Sequence, residues 1–360
     1  MSLAGKPGAA KPGASRRAVL ASALALGACA RPADSKPAPP PPPLKSLAPF
    51  PIGTAVMANR LRDDPAYAAL IAAQASQITA EFEMKMEVIV QEDGAFNFER
   101  ADAIAAFARD NRLRLFGHTL VWYAEKPKAF EQLDERRVAF RDAYTNYITA
   151  VVGRYRGQAV GWDVVNEAIA DDGAEWRTSL WSQRLGAFDH MRLAYETARA
   201  ADPHVPLFLN DYYLEKNPGK RAAFLRLAEA LLKAGAPLGG LGTQTHIDAD
   251  LPAGAITAAI KELGSLGLPV HVSEMDVSLA RVRGFKRPDV LEDRQRDLYA
   301  EAAHAFMNLP PAQRFAFSLW SLRDSDSWIV RDLPEDRPCL FASDGEPKPA
   351  MRAFEAALRV

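Results

Sequence analysis

Two cysteines in 360 residues, Cys29 and Cys339, cannot supply a disulfide framework, so a small stapled scaffold is excluded and stability must come from a buried core. Charge imbalance is equally scarce. The 44 basic and 45 acidic residues leave a net charge of −1, with no electrostatic footprint for a phosphate backbone, and no nucleic-acid partner is expected. Histidine is sparse as well: the six are scattered, and no His-x-His pair follows the first strand-like segment, so no metal is expected. A nucleotide loop and a flavin signature are both missing, which argues against a cofactor. The apolar run from Ala18 to Ala28 is shorter than the ~20 residues a membrane-spanning helix requires.

What that run does fit is an export signal, because Lys6, Lys11, Arg16 and Arg17 precede it. Ser15-Arg16-Arg17 resembles a twin-arginine signal. Leu26-Gly27-Ala28-Cys29 resembles the lipobox of bacterial lipoproteins, in which the cysteine is lipidated and becomes the new N-terminus. Residues 1–29 are therefore expected to direct export, with a lipid on Cys29 holding the protein at a bacterial envelope membrane; a plain signal peptide would leave it periplasmic or secreted. Removing residues 1–28 takes away four positive charges and no acidic ones, moving the net charge to −5. Residues 30–48 are proline-rich and read as an extended, semi-rigid tether. A monomeric folded domain is expected over residues 49–360.

In that domain, short apolar runs alternate with longer amphipathic segments, the pattern of a parallel sheet covered by helices. Eight strands are expected, at residues 50–56, 77–81, 113–118, 159–165, 206–210, 240–244, 269–274 and 314–320. Asp64-Pro65 punctuates the start of one helix, and Gly235 ends another that begins near Gly219. Eight units predict an α/β fold, a closed (β/α)8 TIM barrel forming a single catalytic domain, whose chemistry sits at the C-terminal strand ends.

Polar and aromatic residues gather at those ends. Glu81 and Lys85 follow the second strand, His118 and Trp122 the third, Asn166 and Glu167 the fourth, Asn210 and Asp211 the fifth. Gln244 and His246 follow the sixth, Glu274 and Asp276 the seventh, and Trp320 the eighth. Taken singly, a glutamate at the start of a βα helix is a solvated first-turn residue favoured by the helix dipole, and a lone tryptophan there is core. Their joint placement reverses that reading. Glu167 and Glu274 end strands on opposite walls of the mouth, as needed to protonate a leaving oxygen and to face an anomeric carbon. His190, His204 and His304 fall away from strand ends and read as surface residues.

Six motifs then carry a specific resemblance. Gly117-His118-Thr119-Leu120-Val121-Trp122, Trp162-Asp163-Val164-Val165-Asn166-Glu167, Asn210-Asp211-Tyr212, Gln244-Thr245-His246, Ser273-Glu274-Met275-Asp276 and Asp324-Ser325-Asp326-Ser327-Trp328 stand in the order found in glycoside hydrolase family 10, the endo-β-1,4-xylanases, with Pro347-Lys348-Pro349-Ala350 resembling the closing motif. The resemblance implies a retaining glycoside hydrolase acting on xylan or xylo-oligosaccharides, with Glu167 as acid/base and Glu274 as nucleophile. It implies that Asn166 binds a sugar hydroxyl, and that His246, oriented by Asp276, contacts Glu274. Glu81, Lys85, His118, Trp122, Glu125, Tyr212, Gln244, Trp320 and Trp328 are implied to bind substrate.

The pattern is broken in places. Phe82 and Met86 stand where the family usually has asparagine and tryptophan, Tyr123 and Glu125 where it has histidine and glutamine, and Ser321 where it has glycine. Phe82 and Glu125 are expected to reshape the glycone side toward short or decorated oligosaccharides. Two other classes compete: a non-catalytic surface protein that binds xylo-oligosaccharides, favoured by the altered subsites and the lipid anchor, and a metal-dependent barrel hydrolase, which lacks a ligand set.

Overall fold

The computed structural model describes residues 42–133, 137–282, 284 and 287–359, within a unit spanning Pro42–Val360. Cys29, the export signal and the start of the tether lie outside the described residues. The extended tether gives way earlier than residue 48: Leu44–Ser46 forms a 3-10 turn and Leu44 is buried. Its N–H donates to Gln74 Oε1 at 2.9 Å, and Lys45 Nζ donates to the Ala72 carbonyl at 2.6 Å. A leucine beyond the prolines gains more by joining the core than by staying in water. No helix among the described residues is long and apolar enough to cross a membrane.

Eight parallel strands form the barrel: β1 (Ile52–Val56), β2 (Gln77–Ala80), β3 (Arg114–Gly117), β4 (Ala159–Asn166), β5 (Leu207–Asp211), β6 (Gly240–Thr243), β7 (Val270–Ser278) and β8 (Arg314–Leu319). Each pairs with the next, and β8 closes the ring by pairing with both neighbours, Arg314 opposite Val270 and Phe317 opposite Ile52. Helices follow the strands with the expected punctuation. Asp64 Oδ1 accepts from Tyr67 N–H at 2.9 Å to cap the helix Pro65–Gln74, and Gly235 adopts φ 76° just beyond the helix Pro218–Lys233.

Strand ends agree with expectation to within two residues except at β7, which runs four residues past Glu274. The reason is local pairing. A short strand, His246–Asp248, leaves the loop after β6 and pairs with Asp276, Val277 and Ser278. Another, Val121–Trp122, pairs with Val165 and Asn166 at the end of β4. These two additions extend the barrel wall beside each glutamate, and they set His246 and Trp122 at the mouth.

Inside the barrel, Phe116, Phe208 and His271 pack edge-on, with ring centroids 4.5–6.0 Å apart. One glycine is required close to the site. A Cβ on Gly242 would lie 2.3 Å from Asn210 Oδ1, so the Asn210 side chain occupies space that only glycine leaves open.

Candidate active site

Glu167 directly follows the last residue of β4 and takes φ 58°, a left-handed conformation that costs a non-glycine residue about 1–2 kcal/mol. Tertiary bonds hold it there. Its N–H donates to the Asn210 carbonyl at 2.8 Å, and its carbonyl accepts from Arg177 Nε at 3.1 Å. Its Oε1 accepts from Gln244 Nε2 at 2.9 Å and from Asn166 Nδ2 at 3.2 Å.

Glu274 lies within β7, buried, and its Oε1 accepts from Asn210 Nδ2 at 2.8 Å. Its Oε2 is 3.4 Å from His246 Nε2, while His246 Nδ1 is 2.8 Å from Asp276 Oδ2. Trp328 Nε1 donates to that same Asp276 oxygen at 2.8 Å. Burial alone would raise the pKa of Glu274, but the neighbouring His118 and His246 and the Asn210 hydrogen bond outweigh it, leaving the carboxyl below its usual range. Burial pulls His246 the other way too; flanked by two carboxylates, it is nevertheless pushed up to about 10. An imidazolium at His246 thus stands against the Glu274 carboxylate.

Asn210 ties the two glutamates into one network. Its Nδ2 donates to Asn166 Oδ1 at 2.9 Å as well as to Glu274, and its Oδ1 accepts from Ser273 Oγ at 2.8 Å. Gln244 Nε2 also approaches Asn166 Oδ1, at 3.3 Å. The four residues Glu167, Asn166, Asn210 and Glu274 thus hold one another in place across the mouth.

These groups line a cavity of about 260 Å³ bounded by Lys85, His118, Trp122, Asn166, Glu167, Tyr212, Gln244, His246, Glu274, Trp320 and Trp328, together with Tyr213 and Arg281. His118 Nδ1 is 2.9 Å from Asp163 Oδ2, and the His118 ring packs edge-on against Trp320 at 5.4 Å. Burial raises Asp163 to about 6 against the opposing pull of His118. Lys85 Nζ sits 4.6 Å from the Trp122 ring and 5.2 Å from the Phe82 ring. The Tyr212 hydroxyl is already engaged: it accepts from Arg177 Nη2 at 2.5 Å and donates to Asp171, while Lys220 Nζ lies 3.5 Å from the ring centroid.

The structure gives two of the expected substrate-binding residues, Glu81 and Glu125, protein partners of their own. Glu81 is buried and accepts from Arg331 Nη2 at 2.6 Å. Glu125 is likewise buried, and its Oε1 accepts from Glu87 N–H at 2.9 Å at the start of the short helix Met86–Ile89. Burial lifts its pKa to about 8. His190 is corrected: it is buried, with Nδ1 2.8 Å from the Gly186 carbonyl, whereas His204 and His304 are exposed.

Other residues escaped the sequence reading. Asn210 stood at a strand end but carried no assigned role, and its bridging amide depends on contacts to residues 44 and 64 positions away. Arg281 and Tyr213 occupy loops with no motif of their own. Among the described residues, His118, Asp163 and Glu274 form a group whose ligand atoms all lie within 4.8 Å of one another. Asp163 already engages His118 and Glu274 already accepts from Asn210, so the trio reads as a hydrogen-bonded dyad beside a carboxylate.

A parallel barrel with two buried glutamates on facing walls of its mouth, bridged by amides and flanked by indoles, belongs to the class of paired-carboxylate barrel sites. The chain belongs to glycosyl hydrolase family 10, whose model matches residues 45–357. It is 32% identical over 346 residues to Endo-1,4-beta-xylanase A of Cellvibrio japonicus, covering 88% of this chain and 56% of that protein. It is 33% identical to Endo-1,4-beta-xylanase of Geobacillus stearothermophilus, covering 84% and 93%. The solved structure of Xylanase10C from Cellvibrio japonicus in complex with xylopentaose superposes with a TM-score of 0.82 at 31% identity, covering 88% of this chain and 69% of that one. The chain spans only 26–57% of the length of four of the curated relatives it matches.

Proposed function

We propose that this protein is a retaining endo-β-1,4-xylanase that cleaves xylan or xylo-oligosaccharides by double displacement. The observation that carries the reading is the triad of Glu274, His246 and Asp276, which keeps one carboxylate ionised in a buried cleft that Glu167 also faces. Glu167 protonates the glycosidic oxygen while the Glu274 carboxylate attacks the anomeric carbon; the carbon–oxygen bond breaks and the leaving sugar departs with that proton. Glu167, now a carboxylate, takes a proton from water, whose oxygen displaces Glu274 from the glycosyl-enzyme. Asn166 hydrogen-bonds the sugar's 2-hydroxyl, a contact that tightens as charge develops on the ring. Lys85 and His118 take further hydroxyls, with Gln244 keeping the acid/base in position. Trp122, Trp320 and Trp328 offer indole faces to pyranose C–H groups, and Tyr212 serves the leaving-group side.

The match to xylanases and the xylopentaose-bound relative support the substrate class. Cys29 anchors the protein through lipid to a bacterial envelope membrane after export, a reading supported by Leu26-Gly27-Ala28-Cys29 and the basic segment before it. Incubation with a chromogenic xylobioside tests the enzymatic reading: release is expected from the intact protein and not from Glu274→Ala. A protein that binds xylo-oligosaccharides without releasing the chromophore would instead be the non-catalytic glycan binder.

A further inference from the structure

The cleft carries a cation that a neutral sugar chain does not need. Arg281 is half-buried on the cavity wall, its guanidinium carbon 4.5 Å from the centroid of the Trp328 ring. Other arginines near the mouth are neutralised: Arg331 by Glu81 at 2.6 Å, Arg177 by Asp171 at 2.7 Å, and Arg323 by Asp326 at 2.6 Å. Among the described residues, no carboxylate forms an ion pair with Arg281.

The segment that presents it is firmly held. Buried Asp336 accepts from Ser278 Oγ at 2.5 Å and from the N–H groups of Leu279 and Ala280 at 2.9 and 3.2 Å. Ser278 Oγ in turn accepts from Arg281 N–H at 3.0 Å. The supporting indole is fixed as well, since Trp328 Nε1 donates to Asp276. A planar guanidinium over a clamped ring, with no acid among the described residues claiming its donors, is pre-organised for a carboxylate.

We propose that Arg281 is a specificity determinant that takes the carboxylate of a uronic-acid side group on the bound sugar chain. This rests on the reading of the cleft as a xylan-cleaving site and adds a substrate class to it: acidic, side-chain-bearing xylo-oligosaccharides.

Two substrates separate the claims, a glucuronic-acid-substituted xylo-oligosaccharide and the same compound with its carboxyl reduced to the alcohol, which keeps size and removes charge. The expected ratio of kcat/KM, charged over reduced, is about five- to twentyfold, as a partly exposed charge-assisted hydrogen bond yields. It should fall to about one in Arg281→Gln and to an intermediate value in Arg281→Lys, which keeps the charge and loses the planar fork. A ratio near one in the unaltered protein, or a ratio that survives Arg281→Gln, overturns the proposal. If neither compound is cleaved, the xylanase reading fails separately. The same ratio, read as dissociation constants by calorimetry on Glu274→Ala with and without Arg281→Gln, then decides the role of Arg281.

Discussion

The buried triad of carboxylate, imidazolium and carboxylate makes a quantitative claim about pH. Replacing Asp276 with asparagine removes the charge 2.8 Å from His246 Nδ1 while leaving an oxygen that Trp328 Nε1 can use. Without that carboxylate, the imidazole loses the partner that does most to keep it charged up to about 10, and Glu274 loses a cation 3.4 Å away. Two unit charges at that distance interact by about 5 kcal/mol at an effective dielectric of 20. The cost of burying both ions offsets much of this, leaving roughly 1.5–3 kcal/mol that holds the Glu274 carboxyl below its usual range. Its pKa is depressed, so the ionised form that the proposed mechanism requires is lost only as pH falls through that low value. Raising the value moves the loss upward. The acid limb of the kcat/KM profile on a chromogenic xylobioside should therefore shift up by about one to two pH units, with roughly 10- to 100-fold lower kcat/KM at the old plateau's acid edge. His246→Gln should produce the same limb shift, because both changes act through the imidazolium. An acid limb unmoved in both variants, with rates within about threefold of the parent, would refute the electrostatic account.

Glu125→Gln should stabilise the protein with a definite pH signature. The folded pKa of about 8 lies above the ordinary 4.5, so between those values the unfolded chain releases a proton that the folded chain keeps, and stability falls as pH rises through that window. The variant, whose amide oxygen can still accept from Glu87 N–H, should melt several degrees higher at pH 8 and no higher at pH 4; equal melting shifts at both pH values would count against it. Gly242→Ala forces a Cβ to within 2.3 Å of Asn210 Oδ1, displacing the amide that bonds Glu274. A hydrogen bond to a charged group is worth about 1.5–3 kcal/mol, so kcat should drop roughly 10- to 100-fold while circular dichroism and cooperative melting persist; parental kcat would show that Asn210 does not position Glu274.

Much of the barrel was legible along the chain, since each strand of a covered parallel sheet is buried on both faces and reads as an unbroken apolar run ending in a polar residue. The positions of Glu167 and Glu274 followed from that punctuation, and the order of the motifs pointed to the family. The partners of Glu81 and Glu125 were not legible, because a carboxylate near a strand end looks the same whether it faces a cavity or a buried partner. Nothing near Glu81 announces Arg331, 250 residues away, and nothing near Glu125 announces that it caps the backbone of Glu87 from 38 residues off.

The chain by itself determined which segments become strands, where their ends fall and which acids stand there, because these follow from local periodicity and turn chemistry. Only the tertiary structure decided which partners those acids take: it paired Glu81 with Arg331, buried Glu125, set His246 between two carboxyl groups and, among the described residues, left Arg281 without an acid partner. The physical reason is that burial and charge pairing are properties of neighbours in space. In a closed barrel, those neighbours arrive from strands and loops whose separation along the chain bears no relation to their distance.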